Sequence, residues 1–312
     1  MNSQKDSSAR WTRKDLLGLK DLSAEEISAI FKRAAQFQKG LSSPQTQLKG
    51  EYAALLFLEP STRTRMSFEV ALTNLGGHTL IFSPQVSSLE KGETLLDTVK
   101  NLEAMGIHFF ILRSRENGLI RELSQKSSSS FINAGDGTNE HPTQALLDLF
   151  TLKEAKGKIE GLKVVIVGDI LHSRVARSNV FALKKLGARV ILCGPKEFLS
   201  DDLRALADET SENLNHSLKG ADAVIALRIQ QERLEARLHF TAQDYFKNFG
   251  LTEERLKKYA SSNCVVLHPG PINREVEISS QLADSPRSLI LKQVSNGVFI
   301  RMAVLSLLRL KK

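Results

Sequence analysis

The sequence predicts an α/β protein of two three-layer α/β/α domains with parallel sheets, linked by long helices. Three observations predict it. Short apolar runs of strand length alternate with amphipathic stretches along nearly the whole chain, the pattern of parallel sheets with right-handed crossovers. The alternation restarts after a long helical stretch near 142–156. A chain of 312 residues also exceeds what one hydrophobic core comfortably serves, so two domains are expected.

In order, residues 1–14 are polar and read as loose. "SAEEISAIFKRAAQFQKG" is a helix: Ser23 followed by Glu26 forms a capping box, apolar residues recur at helical spacing, and Gly40 closes it. "YAALLFLE" is a buried strand, and "MSFEVALTNLGG" carries a helix over 66–75 ended by Gly76 and Gly77. "HTLIFSP" is a strand, and "QVSSLEKGETLLDTVKNLEAMG" is a Ser-rich loop running into a helix. Strand "IHFFILRS", helix "NGLIRELSQKS" and strand "SFINAGD" follow. "HPTQALLDLFTLKEAKG" is a long helix with Pro142 near its start, where a missing N–H costs nothing. The second half reads as strand "KVVIVGD", helix "SRVARSNVFALKKLG", strands "ARVILCGP", "ADAVIALR" and "NCVVLHPGP", and a last helix "GVFIRMAVLSLLRL". The expected division is 1–142, with the helix at 295–312 packing back onto it, and 143–294. Both halves are Rossmann-like.

Apolar residues make up 41% and charged residues 25%, the balance of a soluble globular protein. The net charge of +8 suits an anionic small substrate or nucleic acid. The basic residues are spread along the chain rather than clustered, which argues against nucleic acid. Cys193 and Cys264 lie in or beside apolar runs and read as buried free thiols, with no metal-binding spacing. The first residues lack the apolar core of a signal peptide, and no stretch approaches a membrane span. No membrane partner and a cytoplasmic location are therefore the default expectations.

The densest motif is "FLEPSTRTRMSFE", where Ser61, Thr62, Arg63, Thr64 and Arg65 sit between strand and helix. A helix N-terminus offers unpaired N–H groups and a positive dipole end, a natural seat for phosphate. Hydroxyl donors and the forked guanidinium of Arg63 add to it. In "GDGTNEHPTQALLD", His141 and Gln144 share one face at a helix start. A His beside a positive helix end would stay neutral and donate one hydrogen bond. Alone, this motif reads first as a helix cap with a structural His.

Lys91, in "SSLEKGETLLDT", lies in a polar loop that opens a helix. Arg113 ends the apolar run "IHFFILRS", at the strand end that borders ligand crevices in α/β proteins. Alone, Lys91 reads as one of many surface lysines, and Arg113 is equally a surface arginine. "VVIVGDILHSRVARS" lacks G-x-G-x-x-G, which argues against a nicotinamide cofactor, and places Arg174 and Arg177 at a loop-to-helix junction. "ALRIQQERL" sets Arg228 and Gln230 just past a strand. In "VVLHPGPINRE", Pro269 and Pro271 flank Gly270 in a rigid turn whose carbonyls can meet a ligand. No serine sits in a nucleophile elbow, and no Cys–His pair is spaced for covalent catalysis. Many donors and few general bases suit a reaction between anions.

Together these motifs resemble the catalytic chains of aspartate carbamoyltransferases, within the aspartate/ornithine carbamoyltransferase superfamily. "FLEPSTRTRMSFE" is similar to that family's carbamoyl-phosphate signature. "LEKGETLLDTVKNL", "NAGDGTNEHPTQALLDLFT", "RIQQERL" and "HPGPINREVEI" match further family blocks in order, over about Leu17 to Leu308. The related ornithine enzymes carry an H-C-L-P turn and an acidic S-M-G loop that hold an amine. Here the turn is His268-Pro269-Gly270-Pro271, and Lys91, Arg174 and Arg228 suit a dicarboxylate. Gly270 stands where many relatives have leucine, at a position whose contact is a backbone one.

The resemblance implies carbamoyl phosphate plus L-aspartate giving N-carbamoyl-L-aspartate and phosphate, in pyrimidine (UMP) biosynthesis. The alternative is another transcarbamoylase of the superfamily, of ornithine type or with a related amino acid. A different class would be a catalytically dead relative that binds phosphate metabolites or a nucleic acid, and it would have lost Arg63, His141 or Arg228; all three are present. The implied phosphate ligands are Ser61, Thr62, Arg63 and Thr64, with Arg113 bridging phosphate and carbonyl oxygen. His141, Thr64 and Arg113 would stabilise the oxyanion, and Gln144 with the turn carbonyls around Gly270 and Pro271 would orient the carbamoyl amine. Arg174 would take the aspartate α-carboxylate, and Arg228 and Lys91 the β-carboxylate, with Gln230 behind them. No metal or organic cofactor is implied. The family forms a homotrimer in which the serine and lysine of the "SSLEK" loop reach a neighbouring subunit's site. Ser87 and Ser88 both precede Lys91, and spacing favours Ser87. Read from its residues alone, that loop is a polar flap over its own site or a neighbour's. Regulatory chains or other pyrimidine enzymes remain open as partners.

Overall fold

The computed structural model describes residues 11–40, 46–84, 87–230, 232 and 241–309. The chain divides into two compact units, Met1–Asp136 with Gly297–Lys312, and Gly137–Asn296. In the first unit, strands β1 (Tyr52–Phe57), β2 (His78–Phe82), β3 (Phe109–Ser114) and β4 (Ser130–Asp136) form a parallel sheet in the order β2-β1-β3-β4. Helices α1 (Ala24–Gln38), α2 (Thr62–Asn74), α3 (Leu95–Ala104) and α4 (Leu119–Gln125) accompany it.

Each strand's burial follows from its place. In β3 the run Phe109–Leu112 is fully buried, as a strand covered on both faces must be. Phe110 lies opposite Phe131 of β4, and the rings stack at 5.0 Å. Such a pair adds roughly 0.5–1.5 kcal/mol beyond its area burial. The edge strand β2 leaves Leu80 and Ile81 exposed. The Ser23–Glu26 capping box opens α1 with both of its reciprocal bonds.

The serine run 127–129 is pinned by one side chain. Glu103 Oε1 accepts from the hydroxyls of Ser127, Ser128 and Ser129 and from two of their amides, at 2.6–3.1 Å. Burial alone would raise its pKa, but the hydroxyls and amides outweigh it and lower the carboxyl from 4.5 to about 2. A depressed carboxylate contributes stability above its unfolded pKa and loses it as pH falls through the folded value. The melting-temperature gap between the wild type and Glu103→Gln is therefore expected to be full at pH 7 and to close between about 4.5 and about 2. A gap unchanged at pH 2 would contradict this anchor.

The second unit starts with helix α5 (Pro142–Lys156), then β5 (Lys163–Val167), α6 (Arg174–Lys185) and β6 (Arg189–Cys193). Helix α7 (Asp201–Arg204), β7 (Glu209–Ser211), α8 (Leu214–Leu218) and β8 (Ala223–Ala226) follow. Then come α9 (Ala242–Phe249), α10 (Glu253–Tyr259), β9 (Val265–Leu267), α11 (Ser280–Ala283) and α12 (Ile290–Arg309). The parallel sheet runs β7-β6-β5-β8-β9. Its core gathers Val165, Val167, Ile191, Val224 and Val266 with Tyr245, whose ring stacks on Phe249 at 5.4 Å. Cys193 and Cys264 are buried free thiols there, and burial pushes them up to about 11 and about 12, which keeps them unreactive.

Four expectations are corrected. The units divide at Asp136/Gly137 rather than 142/143, because His141 and α5 bond to and pack on α6. Helix α2 starts at Thr62, not 66, so the Thr-Arg-Thr-Arg run is its first turn. The last helix starts at Ile290, not 297, and the unit boundary falls inside it. At 20 residues and a mean hydropathy of 1.2 it is also long and apolar enough to cross a membrane, contrary to the sequence reading. Over half of that stretch is buried within the protein, and it holds the buried Arg301 over the Phe68 ring at 5.0 Å, as a core helix does. Strand β7 went unread, because Glu-Thr-Ser at a sheet edge carries no apolar signal.

Candidate functional site

The two sheets place the candidate residues by the same rule. In the first, the chain leaves β1 for β2 on one side and returns to β3 on the other. The carboxyl ends of β1 and β3 thus flank a topological switch point, where open α/β sheets bind ligands. In the second, the chain goes outward from β5 to β6 and β7, then returns to β8 beside β5. The carboxyl ends of β5 and β8 flank the second switch point.

At the first switch point, β1 runs through Leu58 to Pro60 into α2. Ser61 takes the N-cap position in extended conformation, yet its hydroxyl makes no capping bond. Ser61 thus does not cap the first turn of this 13-residue helix, and a helix N-terminus is a natural seat for an anion. Thr62 and Arg63 are exposed and Thr64 is buried. The two arginines of the motif differ here: Arg65 pairs with Glu69 one turn on at 3.4 Å and is half-buried, while Arg63 is exposed. Arg113 lies opposite Phe57 in the register, and its carbonyl accepts from Leu58 N–H at 2.9 Å. Its guanidinium pairs with Glu59 at 2.6 Å and donates to Ala134 O at 3.2 Å. The strand ends therefore bring Ser61, Thr62, Arg63, Thr64 and Arg113 to one edge of the first unit. Glu59, unremarked in the sequence, is part of that edge; the signal was its place between strand and phosphate motif.

Lys91 and Ser87 leave the same sheet from its outer strand. They belong to the segment after edge strand β2, where Ser88–Lys91 forms one 3₁₀ turn. The Ser87 hydroxyl donates to Pro84 O at 2.7 Å and accepts from Leu89 N–H at 3.3 Å, while Ser88 and Lys91 are exposed. Of the loop read as a flap, residues 85–86 lie outside the described residues.

In the second unit His141 is the buried N-cap of α5, with Pro142 at the first helical position. Its backbone N–H donates to the Ser178 hydroxyl at 2.9 Å, which donates to the buried Glu140 at 2.9 Å. Gln144, one turn along α5, donates through Nε2 to Asp148 at 2.8 Å. Every residue from Pro142 to Leu152 is buried, so polar side chains of these turns turn to partners inside, as Gln144, Asp148 and Thr151 do.

At the second switch point, the loop after β5 is braced by Asp169, which accepts from His172 Nδ1 at 2.8 Å and from its backbone N–H at 3.1 Å. Ser173 caps α6, and Arg174 opens it, half-buried. Arg177, noted beside it, is committed elsewhere: it pairs with Asp202 and holds that carboxyl below the usual range. Past β8, Arg228 and Gln230 are exposed on either side of the fully buried Ile229. An extended backbone sends alternate side chains opposite ways, so anchoring Ile229 turns both polar neighbours outward. Asn273 Nδ2 donates to Ile229 O at 2.7 Å and ties this strand end to the "HPGPINRE" segment.

That segment follows β9. Gly270 has φ 66°, a conformation that favours glycine, and the Gly270–Pro271 peptide is cis. Gly270 N–H donates to His268 Nδ1 at 2.8 Å, so Nδ1 is an acceptor and Nε2 carries the hydrogen that meets Glu277 at 3.1 Å. Arg174, Arg228, Gln230, Gly270 and Pro271 therefore line the carboxyl edge of β5, β8 and β9. Among the described residues, no group of three or more His, Cys, Asp and Glu side chains is arranged to hold a metal ion. The sequence reading missed the bracing side chains Asp148, Asp169, Ser178 and Glu277; a charge inside the apolar run "ALLDLF" was the one legible sign.

Comparison with known proteins assigns both halves of the chain to one family. The family model described as the carbamoyl-P binding domain of aspartate/ornithine carbamoyltransferase matches residues 14–154, and its Asp/Orn binding domain model matches 160–308. The aspartate carbamoyltransferase catalytic subunit of Prosthecochloris aestuarii is 50% identical over 305 residues, covering 95% of this chain and 97% of that one. Among solved structures, aspartate transcarbamoylase from Trypanosoma cruzi in complex with carbamoyl phosphate is similar at a TM-score of 0.83 and 27% identity, covering 96% of this chain and 97% of that one. Ornithine carbamoyltransferase from Pyrococcus furiosus is similar at a TM-score of 0.85 and 32% identity, covering 96% and 97%. With both family models matched in order and half the residues shared with a near-full-length relative, the chain belongs to the aspartate/ornithine carbamoyltransferase family.

Proposed function

We propose that the chain transfers the carbamoyl group of carbamoyl phosphate to the amine of L-aspartate, giving N-carbamoyl-L-aspartate and phosphate for pyrimidine synthesis. The carrying observation is the cation set at the second switch point. Arg174 and Arg228 stand at the adjoining carboxyl ends of β5 and β8 and suit a dicarboxylate. Ornithine would need an anion and a cysteine-bearing turn; this turn reads His268-Pro269-Gly270-Pro271. The solved neighbours include both aspartate and ornithine enzymes, so the fold does not choose between them. The acceptor residues do, together with curated relatives at 45–50% identity that bear the aspartate name.

In this reading the α2 amides, the Ser61, Thr62 and Thr64 hydroxyls and Arg63 hold the phosphate. Arg113, oriented by Glu59, spans phosphate and carbonyl oxygen, and with Thr64 and His141 takes up charge on that oxygen as the amine adds. Gln144 and the carbonyls around Gly270 and Pro271 hold the carbamoyl amine. Arg174 takes the α-carboxylate and Arg228 the β-carboxylate, with Gln230 beside it. The aspartate nitrogen bonds to the carbonyl carbon, the carbon–oxygen bond to phosphate breaks, and the leaving phosphate accepts the amine proton. Positioning supplies much of the rate.

The same reading makes the working unit a homotrimer with shared sites. The first unit exposes Met66 (45%) and Val70 (44%) one turn apart on α2, and Leu80 (44%) and Ile81 (51%) on edge strand β2. An apolar helix stripe beside an open strand edge is a surface to be covered. The Ser87–Lys91 segment follows directly from that edge, so packing this face on a neighbour would deliver Lys91 to the neighbour's β-carboxylate. Complementation tests it. Inactive Lys91→Ala and Arg63→Ala chains, dissociated and reassembled together, are expected to regain activity, because some mixed sites hold both wild-type residues. Mixed trimers verified by mass yet still inactive would place Lys91 in its own chain's site.

A further inference from the structure

The second unit buries a carboxylate to which the mechanism above gives no part, and this inference rests on that mechanism. Asp148 is fully buried on α5, one turn past Gln144. Its Oδ1 accepts from Gln144 Nε2 at 2.8 Å and from Gln293 Nε2 at 2.7 Å, and its Oδ2 accepts from Asn179 Nδ2 at 2.9 Å. A buried charge is costly unless donors surround it, and three amides converge here from α5, α6 and α12. An ionised carboxylate can only accept, so each amide that meets it must present its NH₂ end. The other end of each amide is then fixed as well. Gln293 turns its carbonyl oxygen to the backbone N–H of His268 at 2.9 Å, at the base of the "HPGP" turn. Gln144 turns its Oε1 away from Asp148, and among the described residues that oxygen has no hydrogen-bond partner.

We propose that Asp148 is a positioning residue that fixes the amide polarity of Gln144 and, through Gln293, seats the His268–Pro271 turn, so that acceptors alone face the carbamoyl amine. The consequence is selectivity for an acyl phosphate bearing NH₂. Carbamoyl phosphate offers two N–H hydrogens there; acetyl phosphate offers a methyl group of similar size and none. A site built to bond a substrate N–H rejects the analogue that lacks it far more strongly than a merely shaped pocket does, because its acceptors are left unpaired. Without Asp148 the Gln144 amide is free to turn over, and that distinction fades.

The test compares the wild type with Asp148→Asn and Asp148→Asn/Asn179→Asp. In Asp148→Asn, the new amide sets its NH₂ against that of Asn179; turning it round sets it against Gln144 and Gln293 instead, and turning Asn179 costs that residue its bond to Val175 O. The double variant gives that NH₂ an acceptor at residue 179, at the loss of the Asn179 bond to Val175 O, and returns the oxygen of residue 148 to Gln144 and Gln293. The readouts are the KM for carbamoyl phosphate, the KM for aspartate, the inhibition constant of acetyl phosphate, and the melting temperature. In Asp148→Asn the ratio of the acetyl phosphate inhibition constant to the carbamoyl phosphate KM is expected to fall by roughly tenfold or more, with the aspartate KM little changed. The double variant is expected to recover most of the ratio. A folded Asp148→Asn enzyme with the wild-type ratio overturns the proposal. If that variant does not fold, a folded double variant that has lost the ratio overturns it. A wild type that makes no carbamoyl-aspartate would instead refute the transfer reading, a separate failure visible before any variant is made.

Discussion

Arg63→Ala is expected to lower kcat by about 10²–10³-fold, the usual cost of removing one preorganised donor from a developing charge. The expectation follows from a division of labour that the motif "STRTR" does not show. Arg65 pairs with Glu69 on the flank of α2, while Arg63 is exposed in its first turn beside the Ser61, Thr62 and Thr64 hydroxyls. Losing Arg63 takes away a forked, charged donor that neither the helix end nor Thr64 can replace. Arg65→Ala should cost far less, since it removes one helix-surface pair of modest worth. Steady-state kinetics on both variants, with a phosphonate analogue as binding probe, checks this. Equal losses in the two would mean the motif acts as a whole charged surface rather than through one fork.

Arg228→Ala is expected to raise the KM for aspartate by roughly 10–100-fold, in line with the loss of a hydrogen bond between charged groups, and to leave the KM for carbamoyl phosphate near wild type. Ile229 is buried and held by Asn273, so the backbone on either side of residue 228 stays anchored when its side chain is cut back. The selectivity of the loss is the point. If both KM values rise together, the substitution has disturbed the strand end instead of removing one carboxylate contact.

Much of this was legible in the sequence, and the reasons differ by element. Central strands such as "FFIL" and "VVIV" announce themselves because burial on both faces forces unbroken apolar runs. The edge strand β7 did not, since three half-exposed polar residues pair through backbone alone. Helix α2 was read four residues too short because its first turn is spent on polar chemistry and shows no apolar period. The residues proposed to meet substrate were legible as donors at strand ends and helix starts. The residues that hold them were not: Asp148 meets Gln293 across 145 positions, and His268 meets Glu277 only because the turn folds back. Helical and strand periods report neighbours within an element, whereas these bonds depend on tertiary packing.

The most direct measurement is the ratio of kcat/KM for aspartate to that for ornithine, with carbamoyl phosphate saturating and phosphate release and carbamoyl product both followed. In the proposed reading the cations Arg174, Arg228 and Lys91 would oppose ornithine's charged amine, and the His268–Pro271 turn would offer it no anion. Turnover with aspartate, one phosphate per carbamoyl-aspartate, and negligible turnover with ornithine is the predicted result. Comparable values for the two amino acids, or a preference for ornithine, would contradict it.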